Sequence, residues 1–183
     1  MESYKRDQDG KSVEEGEWKE MVCLDGKLIL RIPRGWEKIA TSNEWIERKF
    51  PYQRKPQEIL GEISEERMLT VNFLGKQLKE AQVYPAIRQM QILVNRLYPE
   101  SIEDQARKTK TATGMAGWFS FITGGLKKDN GHCMFVVSVQ GNMALGSYHF
   151  PAEEDLGEDK RIFKKIIKSL QTEKRDDDGT RRI

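Results

Sequence analysis

The sequence predicts an α+β fold in which an antiparallel sheet of about six to seven strands is sandwiched between helices. Three observations predict it. Apolar runs are joined by tight turn signals, Asp25–Gly26 and Gly141–Asn142, which pair neighbouring strands antiparallel. Two amphipathic helical segments, one after Pro85 and one from Asp159, stand far apart in the chain and are free to cover opposite faces of one sheet. The segments "GMAGWFSFITGG" and "HCMFVVSVQGNMALGSYHF" carry bulky apolar residues at alternate and intervening positions alike, as strands covered on both faces do.

Each element follows in order. Residues 1–17 hold three basic and six acidic side chains and too little apolar surface to order themselves, which predicts a disordered polar tail. "EWKEMVCLDGKLILRIP" reads as a hairpin about Asp25–Gly26, ended by Pro33 and Gly35. Ser42 is placed to cap a short helix through Glu44, Trp45, Ile46 and Lys49, closed by Pro51. "EILGEIS" and "RMLTVNFL" follow as strands. In the second, Met68, Thr70, Asn72 and Leu74 face one way and Leu69, Val71 and Phe73 the other.

Pro85 suits the first position of a long helix, where its missing N–H is no loss. Ile87, Met90, Val94 and Leu97, with Leu93 beside them, form that helix's apolar stripe, and Pro99 stops it. "SIEDQARKTKTAT" reads as a strand plus a turn. In the strand that follows, Trp118, Ser120 and Ile122 share one face and Phe119, Phe121 and Thr123 the other.

Taking Gly141–Asn142 as a two-residue turn sets Phe135 opposite Tyr148, Val137 opposite Gly146 and Cys133 opposite Phe150. Met134, Val136, Met143, Leu145 and both histidines take the other face. The last helix, about Asp159–Leu170, gathers Ile162, Phe163, Ile166, Ile167 and Leu170 into one stripe, with acidic residues at its start where the macrodipole favours them. Residues 171–183 read as a disordered charged tail, leaving one domain at 18–170.

Composition bounds the function. With 31 basic and 29 acidic residues the chain has a net charge of +2, which gives no global signal for nucleic acid or a membrane surface. No run is long enough to span a bilayer, and the N-terminus has no apolar leader segment. Two cysteines without a C-x-x-C pattern point to a reducing, cytoplasmic setting. The glycines of "GMAGWFSFITGG" fit neither phosphate-loop spacing, and no catalytic constellation, cofactor motif or metal-ligand set is read.

"LILRIPRGWEKI" resembles the F-x-[IV]-P-x-G-W segment of the PsbP-like family, which includes the Ran-associated Mog proteins and the bacterial DcrB-like proteins. "FPYQRKPQEIL", "RMLTVNFL" and "GSYHFPAEEDLGEDKRIFKKIIKSL" extend the resemblance over most of Leu28–Leu170, with Trp36 and the Pro33–Gly35 turn its sharpest points. The resemblance implies an antiparallel sheet between helices and a non-enzymatic accessory or binding role. Members bind a small GTPase, serve photosystem assembly, act as bacterial lipoproteins or chaperone secreted effectors, and share no catalytic residues. Cys23 follows no apolar leader and does not match the lipidated cysteine of the lipoprotein branch, which leaves cytoplasmic roles ahead.

Candidate sites follow from residue types. Arg48, Lys49, Arg54 and Lys55 surround the aromatic Phe50 and Tyr52, a mixture that forms recognition surfaces as well as ordinary ones. Lys160, Arg161, Lys164, Lys165 and Lys168 make a basic helix face, which solvated lysines also explain; the acidic run before it argues against nucleic acid. His132 and His149 fall diagonally on one sheet face, within joint reach of a metal but without a third ligand; ordinary hydrogen-bonded strand-end histidines are the plainer reading. Cys133 points to the opposite face and reads as a buried structural thiol. Trp36 and Trp45 read as core anchors.

The function expected is that of a small non-enzymatic binding or adaptor protein, a chaperone or accessory factor for a secreted or membrane-directed protein partner, with a homodimer compatible. The alternatives are a small hydrolase or metal-binding protein using His132 and His149, and a structural or oligomerisation module.

Overall fold

The computed structural model describes residues 17–49, 55–124, 129–152 and 156–172. The chain opens with strands β1 (Trp18–Cys23) and β2 (Leu28–Pro33), then the short β3 (Glu37–Lys38) and helix α1 (Glu44–Lys49). Strands β4 (Glu58–Glu62) and β5 (Arg67–Gln77) lead to helix α2 (Val83–Leu97). Then come β6 (Ile102–Glu103), β7 (Arg107–Lys110), β8 (Met115–Thr123), β9 (Asn130–Val139), β10 (Asn142–Pro151), helix α3 (Gly157–Ser169) and β11 (Gln171–Thr172).

Among the described residues the main sheet has eight strands in the order β3-β4-β5-β10-β9-β8-β6, with β7 also paired to β8, and every pairing is antiparallel. The α+β sandwich is the one expected, with a larger sheet than six to seven strands. The N-terminal hairpin is not part of it: β1 and β2 join β11 in a separate three-stranded sheet. Gln171 and Thr172, placed in the tail by sequence, therefore close this small sheet beside β2.

Both faces of the main sheet are buried, as the strand patterns require. On one face Leu69, Trp118, Phe135, Val137 and Tyr148 pack against Phe163, Ile166 and Ile167 of α3 and against Leu28, Leu30 and Ile32 of β2. On the other, Phe119, Phe121 and Val136 pack against Val83, Ile87 and Val94 of α2, while Ile46 of α1 packs against Ile59 and Met68. Gly117 sets the approach of α2. A Cβ there would stand 2.7 Å from Ile87 Cγ2 and 3.1 Å from the Val83 carbonyl, so only glycine lets the helix lie this close.

Local chemistry explains the boundaries. Asn43, not Ser42, caps α1: its Oδ1 accepts from the Trp45 N–H at 2.9 Å. Pro85 is the third helical residue of α2, still within the first turn where its N–H is not needed. The β9–β10 turn is Gln140–Gly141, both at positive φ (51° and 76°), one residue earlier than expected. The pairing moves by two residues, so the faces stay as expected but the partners change: Phe135 opposes Gly146, Cys133 opposes Tyr148 and His132 opposes His149. The Phe135 ring lies where a Cβ of residue 146 would be, within 2.2 Å, and this register gives that ring a glycine to cover.

A buried polar cluster ties α3 to the sheet. Asp159, 4% exposed, accepts from Arg67 Nε at 2.8 Å, Arg67 Nη2 at 3.2 Å and the Tyr148 hydroxyl at 2.6 Å. Burial, then the Asp159 carboxylate, pushes the Tyr148 phenol far above its usual range. Replacing one partner strands the others in the interior. Asp159→Asn is therefore expected to cost about 3 kcal/mol in urea unfolding. The double variant Arg67→Met, Asp159→Leu should cost less than the sum of its single changes.

Candidate functional site

On the face shared by α1 and α2 the two helices cover opposite ends of the sheet, and among the described residues a cleft remains over its middle. The register builds the floor in rows. Met68, His149, His132 and Phe121 run across β5, β10, β9 and β8; next to them run Thr70, Ser147, Met134 and Phe119, and then Asn72, Leu145, Val136 and Gly117. A cavity of about 360 Å³ lies over this floor, walled by Met90, Leu93, Leu97 and Tyr98 of α2 and its end, with Pro56 opposite. A second cavity of about 220 Å³ adjoins it, lined by Lys49, Glu66, Met68 and Tyr98. Both histidines line both cavities.

The wall is more apolar than solvent exposure favours. Leu93 is 53% exposed and Leu97 64%, with Ile92 and Tyr98 also exposed. At 100° per residue Leu93 and Leu97 fall on the flank of α2 that overhangs the floor, beside the inward-facing Ile87 and Val94. Tyr98 stacks on Phe121, centroids 6.3 Å apart, and Phe121 stacks on His132 at 4.7 Å.

No protein-family model matches the sequence, and no curated protein matches it. Solved structures do match. Cyanobacterial PsbP (CyanoP) from Synechocystis sp. PCC 6803 superposes with a TM-score of 0.54 at 12% identity, over 85% of this chain and 92% of that one. The Ran-binding protein Mog1p of Saccharomyces cerevisiae gives 0.54 at 9% identity, over 85% and 95%. LpqN of Mycobacterium tuberculosis, involved in cell envelope biogenesis, gives 0.50 at 11% identity, over 86% and 92%. The chain has a PsbP/Mog-like fold.

In this PsbP/Mog-like chain the residues singled out by sequence separate. Lys49 lines the smaller cavity and Lys55 pairs with Glu47 at 2.9 Å; Arg48 bonds the Glu44 carbonyl at 3.4 Å. Phe50, Tyr52 and Arg54 lie outside the described residues. The basic face of α3 is on the far side of the sheet, and part of it is engaged. Lys160 pairs with Asp104 at 2.7 Å and Lys165 stands 4.6 Å from the Trp18 ring centre, while Arg161, Lys164 and Lys168 are exposed. Trp36 is buried against Tyr148 and Trp45 half-buried beside Ile46, the anchoring places expected for both. Leu93 and Leu97 were expected in the buried stripe of α2; the structure turns them to the cleft instead. The visible signal was excess, since Ile92, Leu93, Val94, Leu97 and Tyr98 give the helix more apolar surface than one sheet contact can bury.

The histidines are brought together more closely than a diagonal pair. Nδ1 of His132 lies 2.9 Å from Nδ1 of His149, with the rings at 84°. One proton bridges them, because a hydrogen bond between two imidazole nitrogens needs one donor and one acceptor. Nε2 of His132 is 2.9 Å from Thr123 Oγ1, which extends the chain of polar contacts across the floor. Burial, with Lys49 contributing, lowers His132 to about 4; burial, His132 and Lys49 lower His149 to about 3. Both rings are neutral at pH 7. Cys133, on the opposite face, has its thiol pushed far up by burial and forms no nucleophile pair with them.

These shifts link stability to pH. The folded values lie below the ordinary 6.5, so the unfolded chain binds more protons once the pH falls past it. The stabilising difference is complete above pH 6.5 and is lost on acidification down towards pH 3–4, at roughly 1.4 kcal/mol per unit for each ring. Urea unfolding at pH 5 should show stability about 2–4 kcal/mol below that at pH 7. His149→Gln should flatten this dependence, and an unchanged slope in that variant would assign it to other groups.

Proposed function

We propose that this chain is a non-enzymatic binding protein that receives apolar side chains of a protein partner in the cleft beside α2. The observation that carries the reading is the overhanging wall: Leu93, Leu97 and Tyr98 remain exposed above a floor of Met134, Leu145 and Phe121, beside the buried Val83, Ile87 and Val94 of the same helix. Exposed apolar surface bordering a cavity marks interaction sites in soluble proteins. A Ran-binding protein among the structures of similar fold fits a protein-binding role. A chaperone or accessory task for a secreted or membrane-directed partner, in the cytoplasm, is the form of it we favour; two cysteines kept as buried thiols support the reducing setting.

The basic segment Arg48–Lys55 enters the same proposal through its described flank, because Lys49 borders the smaller cavity and Pro56, just after the segment, borders the larger. Charges at a rim steer encounter while the apolar pocket supplies affinity.

A photocrosslinking residue at position 97 is expected to give a discrete protein adduct in cells, and one at Arg161 on the far face none. Leu93→Asp should abolish the adduct at 97. Equal labelling at both positions, or an adduct indifferent to Leu93→Asp, would overturn the reading; an adduct of two copies of this chain would make the cleft a homodimer contact. Leu97→Asp should change unfolding free energy by less than about 0.5 kcal/mol, whereas Ile87→Ala, in the packed stripe, should cost about 2–4 kcal/mol.

A further inference from the structure

The chain has two histidines in 183 residues, and the fold brings both to one point. Their surroundings hold sulfur. Met68, 2% exposed, is the strand partner of His149 and lines the smaller cavity with both rings. Met134 is two residues from His132 on the same face and lines the larger cavity with both rings, as does Met90. We propose that His132 and His149, flanked by the thioethers of Met68 and Met134, form a binding site for a soft monovalent metal ion, Cu(I) being the biological ion of that class.

Four features carry the assignment. The two Nδ1 atoms converge at 2.9 Å. Imidazole–metal bonds of about 2.0 Å at a tetrahedral angle need an N···N separation of about 3.3 Å, so the rings must part by about 0.4 Å and each turn its lone pair about 35° off the line between them. Second, Thr123 Oγ1 already holds Nε2 of His132, the outer-shell contact that orients a ligating histidine through its other nitrogen.

Third, the donor set selects the metal. Among the described residues no group of three or more histidine, cysteine or acidic side chains is placed to hold a metal, so the ligand set of a zinc site is not assembled. Two imidazoles and thioethers remain, and thioethers select Cu(I). Fourth, the charge is low. The charged side chains bordering the smaller cavity are Lys49 and Glu66, and a desolvated site beside a lysine penalises a divalent ion far more than a monovalent one.

The protons balance without an outside acceptor. Two neutral rings carry two protons, one of them between the Nδ1 atoms. On metal binding that proton moves to Nε2 of its own ring, and both Nδ1 lone pairs face the ion. No proton is released when the neutral pair takes the ion. A thiolate site would instead gain up to about tenfold per pH unit below the thiol pKa, because the thiol must lose a proton to bind.

The test uses the full chain labelled with ¹⁵N-histidine and titrated with Ag(I), a redox-inert probe of the same class. Two rings give few signals, and one equivalent is expected to shift both Nδ1 resonances and leave both Nε2 atoms protonated. Competition against a chromophoric Cu(I) chelator should then give an affinity lowered at least tenfold by His132→Gln or His149→Gln. Met68→Leu and Met134→Leu, which conserve volume and keep the fold, should each lower it several-fold. Absent or Nε2-only shifts, an affinity indifferent to the methionine variants, or one rising tenfold per pH unit would each overturn the site. The last result would place the ion on Cys23 or Cys133. Leu97→Asp should leave metal binding intact, so this site and the partner cleft stand or fall separately.

Discussion

Strands β8, β9 and β10 present Ala116, Trp118, Phe135, Val137 and Tyr148 on one face and Phe119, Phe121, Met134, Val136 and Leu145 on the other, so both faces of the sheet must be shielded from water. At roughly 25 cal/mol per Å² of apolar surface, neither face can be left bare in a stable domain. The other elements answer this demand. Helix α3 and the small sheet close one side, and α1 and α2 share the other. The Asp159–Arg67–Tyr148 cluster then fixes where α3 sits, since its buried charges are satisfied in one arrangement.

The two sides are not covered equally, and the candidate site is a consequence of the difference. Helix α2 packs over β8 and β9, where Gly117 lets it approach, and α1 packs over Met68 and Ile59 near the other edge. The strip between them holds the polar and sulfur-bearing positions Thr70, Ser147, Met134, His132 and His149, which a fully dry helix contact would not tolerate without partners. Three hydrogen bonds run within the floor: Thr123 to His132, His132 to His149, and Thr70 to the Ser147 carbonyl. The two rings bond each other under an apolar overhang, and the nearby Cys133 thiol faces the opposite side of the sheet.

The predicted elements and their faces were legible where periodicity is strong. The alternation in β8 places Trp118 and Phe119 in different cores, as their positions require, and the stripe of α3 buries Phe163, Ile166 and Ile167. Turn chemistry misled by one residue: Asn142 suits a turn as well as Gln140, and the choice was made by the fit of the Phe135 ring over Gly146, a contact between strands. The same two-residue move turned a diagonal histidine pair into a bonded one. Composition singles out the basic segment Arg48–Lys55, of which the structure places Lys49 beside the smaller cavity, whereas the exposure of Leu93 and Leu97 is not legible because a helical stripe does not say how much of its width the sheet will cover.

By itself the sequence determined that two strand faces and two helix stripes carry apolar side chains, and hence that a sheet must be layered between helices; periodicity is a local property written residue by residue. Only the tertiary structure decided which strands the first hairpin joins, which residues face each other across β9 and β10, and where α2 stops covering the sheet. Those outcomes depend on shape complementarity between segments far apart in the chain, such as Ile87 on Gly117 and Arg67 on Asp159, and no local pattern encodes such a fit.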